Sequence, residues 1–125
     1  MLEMQIFVKR IKVMDSKFYV SYEAARLLKE KGYSRECDYH IEEVIYGNMT
    51  KEQAEKLETK FPCPTKAEAI DWLESKGMCI VVIRRTIDNE VGWRYVIYNE
   101  TEIISGFSTR LEAEEAAIIK ACELL

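Results

Sequence analysis

The sequence predicts an α+β fold: an antiparallel sheet with helices packed on one face, its C-terminal half running α-β-β-β-α. Three observations carry this expectation. Thr50/Gln53, Thr65/Glu68 and Thr109/Glu112 have the spacing of capping boxes, which mark helix starts. The β-branched run from Cys79 to Ile87 is followed by turn chemistry at Asp88-Asn89-Glu90-Val91-Gly92 and a second run from Trp93 to Tyr98. Residues 65–125 keep the order helix, strand, strand, strand, helix. The 125 residues read as one domain, with a hairpin, helix and strand in 1–63 and the α-β-β-β-α portion in 64–125.

From the N-terminus, residues 4–14 alternate loosely: Lys9, Arg10 and Lys12 are interleaved with Phe7, Val8, Ile11 and Val13, as in a strand. Asp15-Ser16-Lys17 is a tight turn, from which Phe18-Tyr19-Val20 returns to complete a hairpin. Ser21 caps a helix that buries Ala24, Ala25, Leu27 and Leu28 and stops at Gly32. Cys37 to Tyr46 reads as a strand and Gly47-Asn48 as a turn. Thr50 opens a short polar helix carrying Lys51, Glu52, Glu55, Lys56, Glu58 and Lys60, broken by Phe61-Pro62-Cys63-Pro64.

Thr65 to Gly77 is a helix with Ala69, Ile70, Trp72 and Leu73 on its apolar face. Strands follow at 79–87, 93–98 and 102–105, separated by a five-residue loop at Asp88–Gly92 and a turn at Asn99-Glu100, with Gly106 ending the third. The last helix starts at Thr109. Ala113, Ala116, Ala117 and Ala121 let it lie close against a sheet.

Composition bounds the function. Apolar residues make up 48% and charged residues 32%, enough for a core and against disorder. The net charge of −4, from 18 basic and 22 acidic residues, disfavours a generic nucleic-acid binder while leaving room for a local basic patch. The longest apolar run, Met78 to Ile83, is far below the ~20 residues that span a bilayer. Met1 to Val8 has no basic start before an apolar stretch, so no signal peptide is expected and a cytoplasmic location is. The four cysteines are then thiols, with Cys79 and Cys122 in apolar settings.

Familiar catalytic patterns are missing from the sequence. It contains neither a glycine-rich phosphate loop nor a G-x-S-x-G elbow. His40 is the one histidine, and Cys37-x-x-His40 has zinc-ligand spacing without a second close pair. No catalytic residue, cofactor or metal is expected. A carboxylate enzyme would reveal itself by acids converging near His40. Arg84, Arg85 and Arg94 lie on the central hairpin near Trp93, Tyr95 and Tyr98. Alternation separates Arg84 from Arg85, so a face carrying Arg84 or Arg94 with a tyrosine could stack on a base or bind an acidic partner. Cross-strand pairing with acids, and aromatics in the core, is the alternative for the same residues.

Two resemblances add to this. The order of residues 65–125, and the run Gly106-Phe107-Ser108-Thr109-Arg110-Leu111-Glu112-Ala113 through Ala121, resembles the double-stranded-RNA-binding domain. In that family, lysines at the start of the last helix grip phosphates. The matching positions are Arg110, Leu111 and Glu114, one basic, one apolar and one acidic, and Asp88–Gly92 replaces the family's Gly-Pro-x-His loop. The resemblance implies the fold rather than RNA affinity, since each lost phosphate contact lowers binding. The second resemblance is to small, uncharacterised proteins of phages and prophages of gut bacteria. It rests on Ser21–Tyr33, Cys37-Asp38-Tyr39, Pro64-Thr65, Trp72-Leu73 and Phe107-Ser108-Thr109 through Leu125. It implies a viral or mobile-element context and no reaction.

The expectation is therefore a cytoplasmic phage or prophage accessory protein: a non-catalytic module that binds a host or phage protein, for instance to blunt a host defence. The alternative is a nucleic-acid-binding module, disfavoured by charge. No membrane partner is expected, and the sequence leaves the oligomeric state open. The candidate binding surface comprises Arg84, Arg94, Tyr98 and Arg110.

Overall fold

The computed structural model describes residues 4–10, 16–47, 56–98, 100 and 102–125. They form six strands and three helices: β1 (Met4–Arg10), α1 (Tyr22–Glu30), β2 (His40–Gly47), β3 (Lys56–Pro62), α2 (Lys66–Ser75), β4 (Ile80–Ile87), β5 (Glu90–Ile97), β6 (Ile103–Phe107) and α3 (Arg110–Leu124). The fold is α+β, with two antiparallel sheets of order β1-β2-β3 and β4-β5-β6.

Helix starts follow the sequence closely. Ser21 Oγ accepts from Ala24 N at 3.1 Å, and Thr65 with Glu68 forms a complete capping box. At α3 the box is displaced by one residue. Thr109 Oγ1 accepts from Glu112 N, while the Glu112 carboxylate takes the Ser108 N–H. Gly32, with φ +99°, ends α1 in the left-handed region.

Two N-terminal expectations are overturned. Phe18-Tyr19-Val20 does not return along β1. Ser16–Phe18 is a 3₁₀ turn, and Tyr19 bridges to Thr65 while Val20 N donates to Pro64 O. The segment closes over the start of α2, and β1 pairs instead with β2, Phe7 opposite Val44. The polar helix from Thr50 is also corrected over its second half: Lys56–Pro62 is a strand, paired with β2 so that Phe61 faces Ile41. Charged Lys56, Glu58 and Lys60 alternate with Leu57, Thr59 and Phe61, a period of two that overrides helix propensity. Residues 50–55 and 11–15, on which the rest of those readings fell, lie outside the described residues.

One continuous cluster of buried side chains joins both portions of the chain. Val20, Leu28, Ile41 and Phe61 come from the first; Leu73, Ile97, Ile118 and Cys122 come from the second. Ala113, Ala117 and Ala121 are fully buried, and α3 packs across β4, β5 and β6 while also touching α1 and α2. The Tyr22 ring lies 6.4 Å from Phe61, which also sits beneath Lys29 Nζ at 5.0 Å; these contacts tie α1 to β3.

Tyr33 is buried, yet its hydroxyl has no hydrogen-bond partner. Burial, with a smaller contribution from Glu68, raises its pKa from 10.0 to about 12. A phenol whose folded pKa exceeds its unfolded value contributes stability below pH ~10 and loses it as pH climbs through the folded value. Tyr33→Phe is therefore expected to leave stability at neutral pH unchanged or slightly raised. It should also flatten the alkaline decline between pH ~10 and ~12, measured by urea unfolding across that range. Tyr19 and Tyr95, also raised by burial, keep part of the slope. An unchanged alkaline slope in the variant would refute the assignment.

Candidate functional site

The β4–β5 turn sets the geometry of the C-terminal sheet. Asp88 and Asn89 both have positive φ, 51° and 66°, as a two-residue type I′ turn requires. This turn fixes the pairs Ile80↔Ile97, Val82↔Tyr95 and Arg84↔Trp93 on one face, and Val81↔Val96, Ile83↔Arg94 and Arg85↔Gly92 on the other. Tyr95 and Ile97 are buried, and Ile80, Val82, Ile104 and Phe107 pack beside them, so the first face lies beneath the helices.

Among the described residues, no helix covers the opposite, outer face. Val81 is 44% exposed and Ile103, which pairs with Val96 from β6, is 51% exposed. Tyr98 is 68% exposed; its N–H donates to Cys79 O, continuing the register of Val96 and Arg94. Toward the hairpin tip the surface changes from aliphatic to basic. Arg85 and Arg94 face outward beside an open concavity of about 470 Å³, lined also by Ile87, Glu90, Ser105 and Gly106. Gly106 has φ +103° and falls where the β5–β6 register shifts, so that Trp93 pairs with Phe107 and Arg94 with Ser105. It is the extra residue of a β-bulge rather than the end of the strand.

Among the described residues, none of Arg84, Arg85 and Arg94 forms an ion pair, although acids outnumber bases in the chain. The Arg94 Nε is buried and has no hydrogen-bond partner. The structure thus brings Arg94 and Tyr98 onto one face. It sets Arg84 on the other, opposite Trp93, and places Arg110 at the start of α3, where its Nε lies 3.1 Å from Glu114 Oε1. Arg85, not among the four candidates, is Arg94's neighbour.

Two other concavities bear on function. One, of about 450 Å³, is lined by Glu36, Cys37, Asp38, His40 and Glu68, which puts acids beside the single histidine, the convergence named above as the mark of a carboxylate enzyme. Two of its groups are already engaged: the Cys37 thiol donates to Tyr39 O at 2.9 Å, and Glu68 Oε1 accepts from Thr65 N at 3.0 Å. Burial pushes the Cys37 pKa up, which keeps the sulfur protonated and a poor nucleophile. Among the described residues, no three His, Cys, Asp or Glu side chains are grouped to hold a metal ion.

The other is an apolar groove of about 750 Å³ along α3, lined by Phe107, Leu111, Ala116 and Ile119 together with Lys66 and Glu115. Lys66 is a buried lysine that sequence reasoning missed. Its Nζ donates to Lys17 O and Tyr19 O and lies 3.9 Å from Glu115 Oε2. Glu115 Oε1 in turn accepts from Ser21 N. No helix among the described residues is long and apolar enough to cross a membrane. Compared with protein-family models, curated proteins and solved structures, the chain matches none.

Proposed function

We propose that this chain is a non-catalytic protein-binding module that receives its partner on the outer face of the β4-β5-β6 sheet, and that it serves a phage or prophage as an accessory protein. The observation that carries the reading is the strip of exposed Val81 and Ile103 with half-buried Val96 between them, continuous with Tyr98, Arg85 and Arg94. Aliphatic side chains beside a tyrosine and arginines are the composition of a protein interface, in which a few such residues supply most of the affinity. The resemblance of Ser21–Tyr33 and Phe107-Ser108-Thr109 to phage and prophage proteins supports the accessory role.

The test compares wild-type protein with Ile103→Glu, each immobilised in lysate from a bacterial host. Ile103 is exposed on the edge strand, so the variant should keep its far-UV spectrum. A protein held by wild type is expected to be retained roughly tenfold less by the variant. Identical retention by both would refute the reading. The three unpaired arginines favour one rival, a nucleic-acid module. A salt-dependent shift of labelled duplex RNA or DNA, lost in Arg85→Gln, would move the assignment there.

A further inference from the structure

Resting on that protein-binding reading, we propose that the segment seated on the outer face is acidic and aliphatic, with a carboxylate held between Arg85 and Arg94 in the concavity at the hairpin tip. Four observations support this. Arg85 and Arg94 share one face and, among the described residues, have no carboxylate partner, in a chain of net charge −4. Arg94 lines the concavity and its buried Nε has no acceptor among the described residues, so the charge of this guanidinium is not already spent on a carboxylate of the chain. The space beside Gly92 and Gly106, which line the concavity, is open: a Cβ at either would meet nothing within 4 Å. Gly106 falls outside the register of the ladder, next to Ser105, the residue that pairs with Arg94.

Charge and surface chemistry decide between occupants. At physiological salt, fields decay over about 8 Å, so contact is governed by the residues lining the concavity, Arg85 and Arg94 together with Asp88 and Glu90, while the acidic remainder governs approach. A polyanion such as duplex nucleic acid would meet that remainder along its whole length. A peptide with one or two acids among apolar residues would not. The strip beside the arginines is Val81, Ile83, Val96 and Ile103, which suits aliphatic side chains, and Tyr98 is the one aromatic that joins it. A second copy is disfavoured because a two-fold contact sets the same basic patch against itself.

The probe is a short labelled peptide of alternating glutamate and valine, titrated with full-length protein and followed by fluorescence anisotropy. Matched glutamine–valine and lysine–valine peptides serve as controls. The acidic peptide should bind tightest and weaken as sodium chloride rises. Arg85→Gln and Arg94→Gln should each reduce its affinity roughly five- to tenfold, with Arg84→Gln neutral. No binding of the acidic peptide, or equal binding of acidic and basic peptides, would overturn the inference. So would an unaffected Arg94→Gln, duplex RNA or DNA bound more tightly through the same arginines, or a dimeric mass in light scattering abolished by Ile103→Glu. Equal binding of the glutamine peptide, lost in Ile103→Glu, would remove the carboxylate and leave the protein-binding reading standing. That reading fails separately, if Ile103→Glu retains the same host protein as wild type.

Discussion

Lys66→Met is expected to cost about 3–5 kcal/mol, because it removes one partner of a buried ion pair and leaves the other without compensation. The melting temperature should fall by on the order of 10–20 °C. The Lys66 side chain is 9% exposed and that of Glu115 21%. Lys66 is the first residue of α2, and its ammonium binds the carbonyls of Lys17 and Tyr19, the segment leading into α1. Glu115 on α3 holds the N–H of Ser21, the cap of α1. One pair therefore pins the starts of α1 and α2 to α3. Methionine keeps the aliphatic stem but donates nothing, so two carbonyls lose their partner and Glu115 keeps a charge it cannot share. Adding Glu115→Gln removes that charge while retaining an acceptor for Ser21, and should restore about 1–3 kcal/mol. Urea unfolding of the single and double variants measures both numbers. A single variant within ~1 kcal/mol of wild type would mean that water reaches the pair freely and that its geometry is not structural.

This pair also marks where the sequence stopped being informative. Helix starts at Ser21, Thr65 and Thr109 were legible because capping is local: the hydroxyl, the free N–H and the box glutamate lie within four residues. The alanine spacing of α3 foretold its close packing for the same reason, since Ala113, Ala117 and Ala121 share one face of a single helix. Lys66 was not legible. A lysine at a first helical position looks like any solvated cation, and its partners are 47 to 49 residues away along the chain. The strand at Lys56–Pro62 was hidden differently. Its charges suggested a surface helix, and only pairing with His40–Gly47 makes the alternation decisive.

The candidate surface was half legible, and the missing half is a matter of register. A five-residue loop at 88–92 would pair Ile87 with Trp93 and put Arg94 opposite Thr86, on the face of Arg84. The observed two-residue turn pairs Ile87 with Glu90 and puts Arg94 opposite Ile83, on the face of Arg85. Asp88 and Asn89 both tolerate positive φ, so the shorter turn was chemically available in the sequence. The choice between the two loops moves one whole strand's side chains between faces. Tyr98 and Arg94 stay together under either register because both lie on the same side of the turn. Arg110 followed from a helix resemblance, and its ion pair with Glu114 is an i,i+4 contact that the sequence already contained.

Trp72→Ala is expected to be the most damaging change in the core, at about 3–5 kcal/mol, since truncating a buried tryptophan forfeits both its burial and the packing around it. The indole meets the Tyr33 ring edge-on at 5.3 Å and lies under Lys76 Nζ at 5.5 Å. Tyr33 follows α1 directly and Trp72 belongs to α2, so this contact joins the first portion of the chain to the second. Arg35 to Asp71, 2.8 Å apart, spans the same gap at the exposed surface, where an ion pair adds little. The rings thus add a buried contact to the cluster that joins the two portions. Because the buried cluster is continuous from Val20 to Cys122, wild-type unfolding should be one transition by far-UV circular dichroism and tryptophan fluorescence alike. In Trp72→Ala, Trp93 still reports on the C-terminal sheet while circular dichroism reports on all elements. Coincident but earlier transitions would mean that the loss is shared across one cooperative unit. If the circular-dichroism transition comes first and fluorescence follows at the wild-type midpoint, the two portions are held together by that ring contact and little else, and the single-transition expectation fails.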